Sequence, residues 1–166
     1  MTEKRRVAVL LGATSGIARG TARAFAAKGH ELILAGRDLE ELEIEAKDLS
    51  VRHGVRAKAL LLDALAFETH DAFYEECFSL AGDATLGVVL FIGYLGDAKK
   101  AYREFDEARR ILDANLLAGV SLFGRAALEL ERRGDGFLCG VSSVAGDRGR
   151  MSNALYGASK AGLSTY

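Results

Sequence analysis

An apolar run, Val7, Ala8, Val9, Leu10 and Leu11, passes directly into Gly12-Ala13-Thr14-Ser15-Gly16-Ile17-Ala18, after which Ile17, Thr21 and Phe25 recur at helical spacing. A strand, a glycine-containing turn and a helix in immediate succession leave few folds open. Gly12 permits a tight turn, Gly16 admits a close backbone approach, and Ala18 is small enough for the helix to lie against the strand. The helix start presents free N–H groups and the positive end of its dipole, which suits a pyrophosphate. By itself Gly-x-x-x-Gly also describes an ordinary βα turn. The flanking strand and helix carry the stronger reading, a dinucleotide site made by Gly12, Thr14, Ser15, Gly16 and Ile17.

The rest of the chain repeats this alternation. Strands are expected near residues 7–11, 31–35, 56–62, 86–92 and 137–142, almost continuously apolar as parallel strands covered on both faces should be. Between them run helical stripes: Leu39, Leu42, Ala46 and Leu49, then Tyr74, Cys77, Phe78 and Ala81, then Ile111, Asn115, Ala118, Leu122 and Ala126. The order implies an α/β fold, a doubly wound parallel sheet of Rossmann-like type with right-handed crossovers. With no proline, linker or repeat to mark a boundary, residues 1–166 read as a single dinucleotide-binding domain. A last helix begins near residue 153, and its Ala161 and Leu163 call for a further strand to cover. The domain is therefore expected to lack its C-terminal strands here.

Charge narrows the function. The 22 basic and 23 acidic residues are interspersed, giving no basic face for nucleic acid or anionic membrane. No consecutive apolar run reaches transmembrane length and no signal peptide precedes the first strand, so the expected location is cytoplasmic. Cys77 and Cys139 lack metal-ligand company and read as small core residues of a reducing compartment. His30, His53 and His70 are isolated, so neither a metal site nor a Ser–His hydrolase has its second component.

Two further patterns point to hydride chemistry. The second strand ends Ala35-Gly36-Arg37-Asp38, where a dinucleotide fold meets the adenosine ribose. An arginine there accommodates a 2′-phosphate, so Arg37 favours NADP(H) over NAD(H), while Asp38 suits the N-cap of the next helix. Near the C-terminus, Tyr156 and Lys160 stand four residues apart on one helix face, with Ser143 a short loop upstream. A phenol is a poor source of phenolate at neutral pH, and a neighbouring ammonium favours its ionised form. Tyr156 would then exchange a proton with a carbonyl oxygen as hydride arrives. Lys160 would also hold the nicotinamide ribose, and Ser143 would hydrogen-bond the substrate oxygen.

With these motifs in order, the whole chain resembles the short-chain dehydrogenase/reductase family. The resemblance implies Ser143, Tyr156 and Lys160 as a catalytic core, and its spacing to the tyrosine selects Ser143 over Ser142. It adds Asn115, in Asp113-Ala114-Asn115, as a fourth member holding a water in a proton relay; on its own that amide reads equally as a structural tie between helix and strand. It implies that Asp63 contacts adenine and that Gly93 keeps the cofactor approach open, although the family's Asn-Asn-Ala-Gly is here Leu90-Phe91-Ile92-Gly93. The family also implies oligomers built on the helices of Asn115 and Tyr156, hence a homo-oligomer. A narrower resemblance, in Phe91-Ile92-Gly93-Tyr94-Leu95-Gly96-Asp97-Ala98 and in the segment from Gly146 to Asn153, is to the reductase subunit of decaprenylphosphoryl-ribose 2′-epimerase. It implies a keto-sugar substrate, or a lipid-linked one such as a polyprenyl-phosphate-linked keto-pentose. Arg148 and Arg150 could face its phosphate or simply lie in a solvated loop.

The expected activity is hydride transfer between nicotinamide and a carbonyl or secondary alcohol. Two competing classes are a non-catalytic NADP-sensing binding module and an association scaffold. A sensor should have lost Tyr156 or Lys160, and both are present.

Overall fold

The computed structural model describes residues 4–166. Five parallel strands, β1 (Arg6–Leu11), β2 (Glu31–Gly36), β3 (Ala57–Leu61), β4 (Thr85–Leu90) and β5 (Gly136–Gly140), form one sheet in the order β3-β2-β1-β4-β5. The chain winds outward from β1 to β3, then returns to β4 on the other side of β1. That reversal opens a crevice beyond the carboxyl ends of β1 and β4, where such sheets bind ligands. In register, Leu11 of β1 stands beside Ala35 of β2 and Leu90 of β4, so the three strands end together at this crevice.

Alternation along β1 and β2 divides the core. Ala8, Leu10, Leu32 and Leu34 point to one face and pack under α1 (Gly16–Ala27) and α2 (Leu39–His53). Val7, Val9, Leu11 and Ile33 point to the other, with α3 (His70–Ala81) packed against it. Each fully buried leucine contributes roughly 1.5–3 kcal/mol relative to exposure. The small residues Ala18, Ala22 and Ala26 form the buried stripe of α1 and let it lie close to the sheet. Ser15 caps α1 by accepting from the Ala18 N–H at 3.2 Å, and Asp38 caps α2 by accepting from the Glu41 N–H at 3.0 Å.

After β4 come the short α4 (Ala98–Ala101), then α5 (Phe105–Leu112), a π-helical turn at Asp113–Leu117, and α6 (Ala118–Arg133). The expected single helix around Asn115 is thus a continuous helical run with a π-turn at its centre. Its 29 residues meet the length and hydropathy of a membrane span. Its stripe of Ile111, Asn115, Ala118, Leu122 and Ala126 is nevertheless buried in the fold, as in a core helix. The chain closes with α7 (Val144–Asp147), a 3₁₀ turn at Met151–Asn153 and α8 (Ala154–Thr165).

Three expectations need correction. Strand β4 ends at Leu90, two residues before the expected limit, because Phe91 and Ile92 turn over the glycine loop; the Phe91 N–H still bonds the Leu11 carbonyl at 2.8 Å. Strands β3 and β5 are the outer strands of this sheet and are not covered on both faces: β3 buries only Leu60, and all five residues of β5 are exposed. Within these residues Cys139 is exposed on β5, whereas Cys77 is fully buried and its thiol is pushed well above the ordinary range by burial.

Candidate active site

The glycine turn is shaped by close approach. Gly12 has φ +84°, and a Cβ there would meet Ile92 backbone and side-chain atoms at 3.0–3.3 Å. Only glycine satisfies both constraints, so the turn after β1 can fold beneath the segment after β4. Arg19 of α1 bonds the Thr14 carbonyl at 3.3 Å and pairs with Glu41 of α2, bracing the turn from behind. Sequence reasoning missed this brace, which only the packing of α1 on α2 brings together.

The crevice is a cleft of about 270 Å³. Its lining includes Gly12, Thr14 and Ser15 from the turn, Gly36 and Arg37 after β2, Asp63 after β3, and Gly93 and Tyr94 after β4. Of the expected cofactor residues, Gly16, Ile17, Tyr156 and Lys160 are not in that lining, and Ile17 is 68% exposed. Gly16 instead opens α1 just behind the lining, and Ile17 projects to solvent. Arg37 is exposed and makes no salt bridge among the described residues, while Asp63 spends one oxygen on the Leu65 N–H at 3.0 Å. A Cβ at Gly36 would lie 3.3 Å from Leu42 and 3.9 Å from Thr14, so glycine keeps this corner open.

At the β4 end, Asn115 is 1% exposed and makes three hydrogen bonds. Its Oδ1 accepts from the Tyr94 N–H at 2.9 Å, and its Nδ2 donates to the carbonyls of Tyr94 at 2.7 Å and Ile111 at 2.8 Å. The side chain thus ties the helical run to the loop after β4. The Tyr94 hydroxyl donates to Glu107 at 2.9 Å, and the Asp97 N–H donates to the same oxygen at 3.0 Å. Those two bonds, the backbone one foremost, hold the Glu107 carboxyl below its usual range. The same bond from Tyr94 to Glu107 raises the Tyr94 phenol. Arg110, which also lines the cleft, places its guanidinium 4.8 Å from the centre of the Tyr94 ring. This Tyr94–Glu107–Arg110 group carries no local signature and was not legible in the sequence.

Lys160 is 2% exposed, and its ammonium donates to the carbonyls of Ile92 at 3.2 Å and Val141 at 3.0 Å. Burial lowers its pKa from the ordinary lysine value. The ammonium lies 5.9 Å from the centre of the Tyr156 ring, and a Cβ at Gly93 would sit 3.7 Å from it. Glycine at 93 therefore leaves room in front of the lysine. Tyr156 is half-buried beside Ile111 and lines a shallow recess separate from the main cleft. The two serines separate by geometry. The Ser142 hydroxyl bonds the Lys160 carbonyl and Ser164 Oγ of α8, whereas Ser143 caps α7, accepting from the Ala145 N–H at 3.2 Å. Two glycines not singled out in the sequence bring these parts together. A Cβ at Gly146 would meet the Ala161 nitrogen at 2.9 Å, and one at Gly157 the Ala145 carbonyl oxygen at 2.6 Å. Backbone-to-backbone packing of α7 on α8 thus fixes Ser143 relative to Tyr156 and Lys160. No cluster of potential metal ligands occurs among the described residues.

This arrangement fits a dinucleotide: a helix N-terminus at a glycine turn, an open adenosine corner, and a space before a buried ammonium. Comparison with known proteins bears on the same point. The family model described as short chain dehydrogenase matches residues 6–166. An uncharacterised oxidoreductase of Streptomyces coelicolor is 35% identical over 162 residues, covering 97% of this chain and 63% of the relative. One of Myxococcus xanthus is 34% identical over 163 residues, with the same two coverages. The chain thus spans just under two thirds of the length of these curated relatives. Among solved structures, an alcohol dehydrogenase of Thermococcus sibiricus complexed with 5-hydroxy-NADP superposes with TM-score 0.86 at 26% identity, covering 98% of this chain and 68% of that one. The actinorhodin polyketide ketoreductase with NADPH gives TM-score 0.87 at 25% identity, covering 97% and 62%. From its glycine turn to the helix of Tyr156 and Lys160, this chain belongs to the short-chain dehydrogenase family.

Proposed function

We propose that the protein is an NADP(H)-dependent oxidoreductase acting on a carbonyl or secondary alcohol of a small-molecule or lipid-linked substrate. The observation that carries this is Lys160, a buried ammonium beside the Tyr156 ring and open toward Gly93. A buried lysine bonded only to neutral carbonyls is costly to maintain. A functional use explains a lysine at this position better than stability does.

Gly12, Thr14 and Ser15 would hold the pyrophosphate at the start of α1, with Asp63 toward the adenine and Arg37 toward a 2′-phosphate. The 5-hydroxy-NADP and NADPH bound to the two solved relatives support that preference. The cofactor, when bound, supplies or accepts the hydride. The Tyr156 hydroxyl gives its proton to the substrate oxygen in reduction and takes it back in oxidation. Ser143 Oγ, whose acceptor lone pair serves the Ala145 N–H, keeps its own hydrogen for that substrate oxygen. Lys160 uses two of its three N–H donors on Ile92 and Val141, leaving one for the ribose or the phenol. Asn115 positions the Gly93–Tyr94 backbone.

The narrower resemblance supports a keto-sugar as substrate, with the exposed Arg148 and Arg150 free for a phosphate. A homo-oligomer is the assembly we assign by family analogy. A non-catalytic NADP-sensing module is less favoured, since Ser143, Tyr156 and Lys160 are all in place. The test is NADPH oxidation by full-length protein against a panel of ketones and keto-sugars. Tight NADPH binding with no turnover on any of them would favour the sensor.

A further inference from the structure

Arg110 stands apart from the other cations of its helix. Its neighbour Arg109 is paired with Asp113 at 3.4 Å, whereas Arg110 makes no salt bridge among the described residues and faces the cleft. Its guanidinium lies over the Tyr94 ring at 4.8 Å. Tyr94 is anchored at both its backbone and its hydroxyl. Asn115 bonds both its backbone N–H and its carbonyl, and Glu107 accepts from its hydroxyl. Glu107 is itself 7% exposed and anchored by the Asp97 N–H. A guanidinium is therefore held against a clamped aromatic at the wall of the cleft.

What faces it is set by the rest of the lining. The same cleft contains Asp63, Ala64 and Leu65 after β3, an apolar-floored corner with one carboxylate. A planar base with an exocyclic amino group suits both components: the carboxylate accepts from the amino group, and the guanidinium covers the ring. Arginine stacks well because it is flat and weakly hydrated, whereas lysine offers only a point charge. Stacked cations of this kind strengthen when shielded from water.

We propose that Arg110, lying over Tyr94, is a cofactor-binding residue that covers the adenine ring. This rests on the dinucleotide reading above and assigns it a residue outside the phosphate turn and the 2′-phosphate corner. Arg110 recognises what NADH and NADPH share, whereas Arg37 recognises what distinguishes them.

The test is titration of full-length protein with NADPH, NADH and AMP by calorimetry, for the unmodified protein and for Arg110→Met and Arg110→Lys. AMP carries the adenine but no pyrophosphate and no 2′-phosphate. Arg110→Met should weaken all three ligands in similar proportion, by about tenfold, which is roughly 1.4 kcal/mol. Arg110→Lys should fail to restore the loss, since charge without a plane does not stack. Thermal unfolding without ligand should match the unmodified protein for both variants, separating binding from folding. Three results would overturn the proposal: unchanged affinities, a loss confined to NADPH, or rescue by lysine with AMP unaffected, which would move Arg110 to a phosphate. An unmodified protein that binds neither dinucleotide would instead overturn the reading of the cleft, and this proposal with it.

Discussion

Gly157 of α8 sits against the carbonyl oxygen of Ala145 in α7, so closely that a Cβ at position 157 would lie 2.6 Å from it. Gly146 makes the reciprocal approach to the Lys160–Ala161 peptide. Ser143 enters α7 as its cap, and Tyr156 and Lys160 leave from α8, so this contact sets the distance between serine and tyrosine. Gly157→Ala should force the helices apart and cost about 1–3 kcal/mol of stability, as overpacking does. Activity should fall further than stability explains, because catalytic geometry tolerates little displacement. Paired measurements of Tm and kcat check this, and an alanine variant with normal values of both would refute it.

The proposed role of Arg37 in choosing between cofactors can be tested directly. The residue is exposed, unpaired among the described residues, and follows a glycine whose open corner admits a bulky substituent. NADPH should bind more tightly than NADH, and Arg37→Asp should reverse or erase the difference by placing a carboxylate opposite the phosphate. A tenfold change in the affinity ratio corresponds to about 1.4 kcal/mol. Equal titration curves for the two cofactors in the unmodified protein would refute the assignment.

Tyr156→Phe keeps the ring in its packing beside Ile111 and removes only the hydroxyl. Turnover should fall by roughly 10²–10⁴-fold, the usual contribution of a positioned acid or base, while NADPH affinity persists. Lys160→Ala should damage both, since it also empties the space between the ends of β4 and β5. Near-normal turnover in the Phe variant would remove Tyr156 from the chemistry.

These assignments differ in how they could be read. Gly12, Tyr156 and Lys160 announce themselves because a tight turn and one helical turn are local relations, visible as spacing. The sheet was legible for the same reason, since β1, β2 and β4 are apolar runs covered on both faces. Cys139 sits in a run of core composition yet is exposed on β5 here, because whether a strand has a neighbour on each side is a property of the sheet rather than of the strand. Arg19 and Arg110 gave no signal at all. Their partners lie on other elements, and only packing reveals them. Asn115 stood out as a polar residue in an apolar stripe, but only the π-turn geometry shows that its amide serves Tyr94.

Acid should destabilise the fold partly through His70. The ring is fully buried, its Nδ1 is 2.9 Å from Ser121 Oγ, and burial lowers its pKa more than the Asp63 backbone and the acidic Glu68 and Asp71 raise it. The folded state therefore prefers neutral histidine. Since the unfolded chain binds the proton more readily, this contribution is complete above about pH 6.5 and is lost as pH falls from there toward the folded pKa. Denaturant-unfolding free energies measured from pH 7.5 to 5 should decline, and His70→Gln should flatten part of that decline. Identical slopes in the two proteins would remove His70 from the acid response.

Asn115 gives the last prediction, one that separates its structural role from a catalytic one. Its three bonds satisfy the Tyr94 N–H, the Tyr94 carbonyl and the Ile111 carbonyl, all around a side chain that is 1% exposed. Asn115→Ala strips the two Tyr94 groups of their partner, and each buried polar group left unsatisfied costs about 1–3 kcal/mol. Asn115→Asp retains the acceptor for the Tyr94 N–H but loses both donors and places a carboxylate against two carbonyl oxygens, so it should be no better than alanine. Both variants should lower Tm and loosen Tyr94, and with it the platform under Arg110 and the loop bearing Gly93. Cofactor affinity should fall alongside stability. A residue serving only a proton relay would lose kcat with Tm and cofactor affinity intact, and that pattern would show that the tie to Tyr94 is incidental.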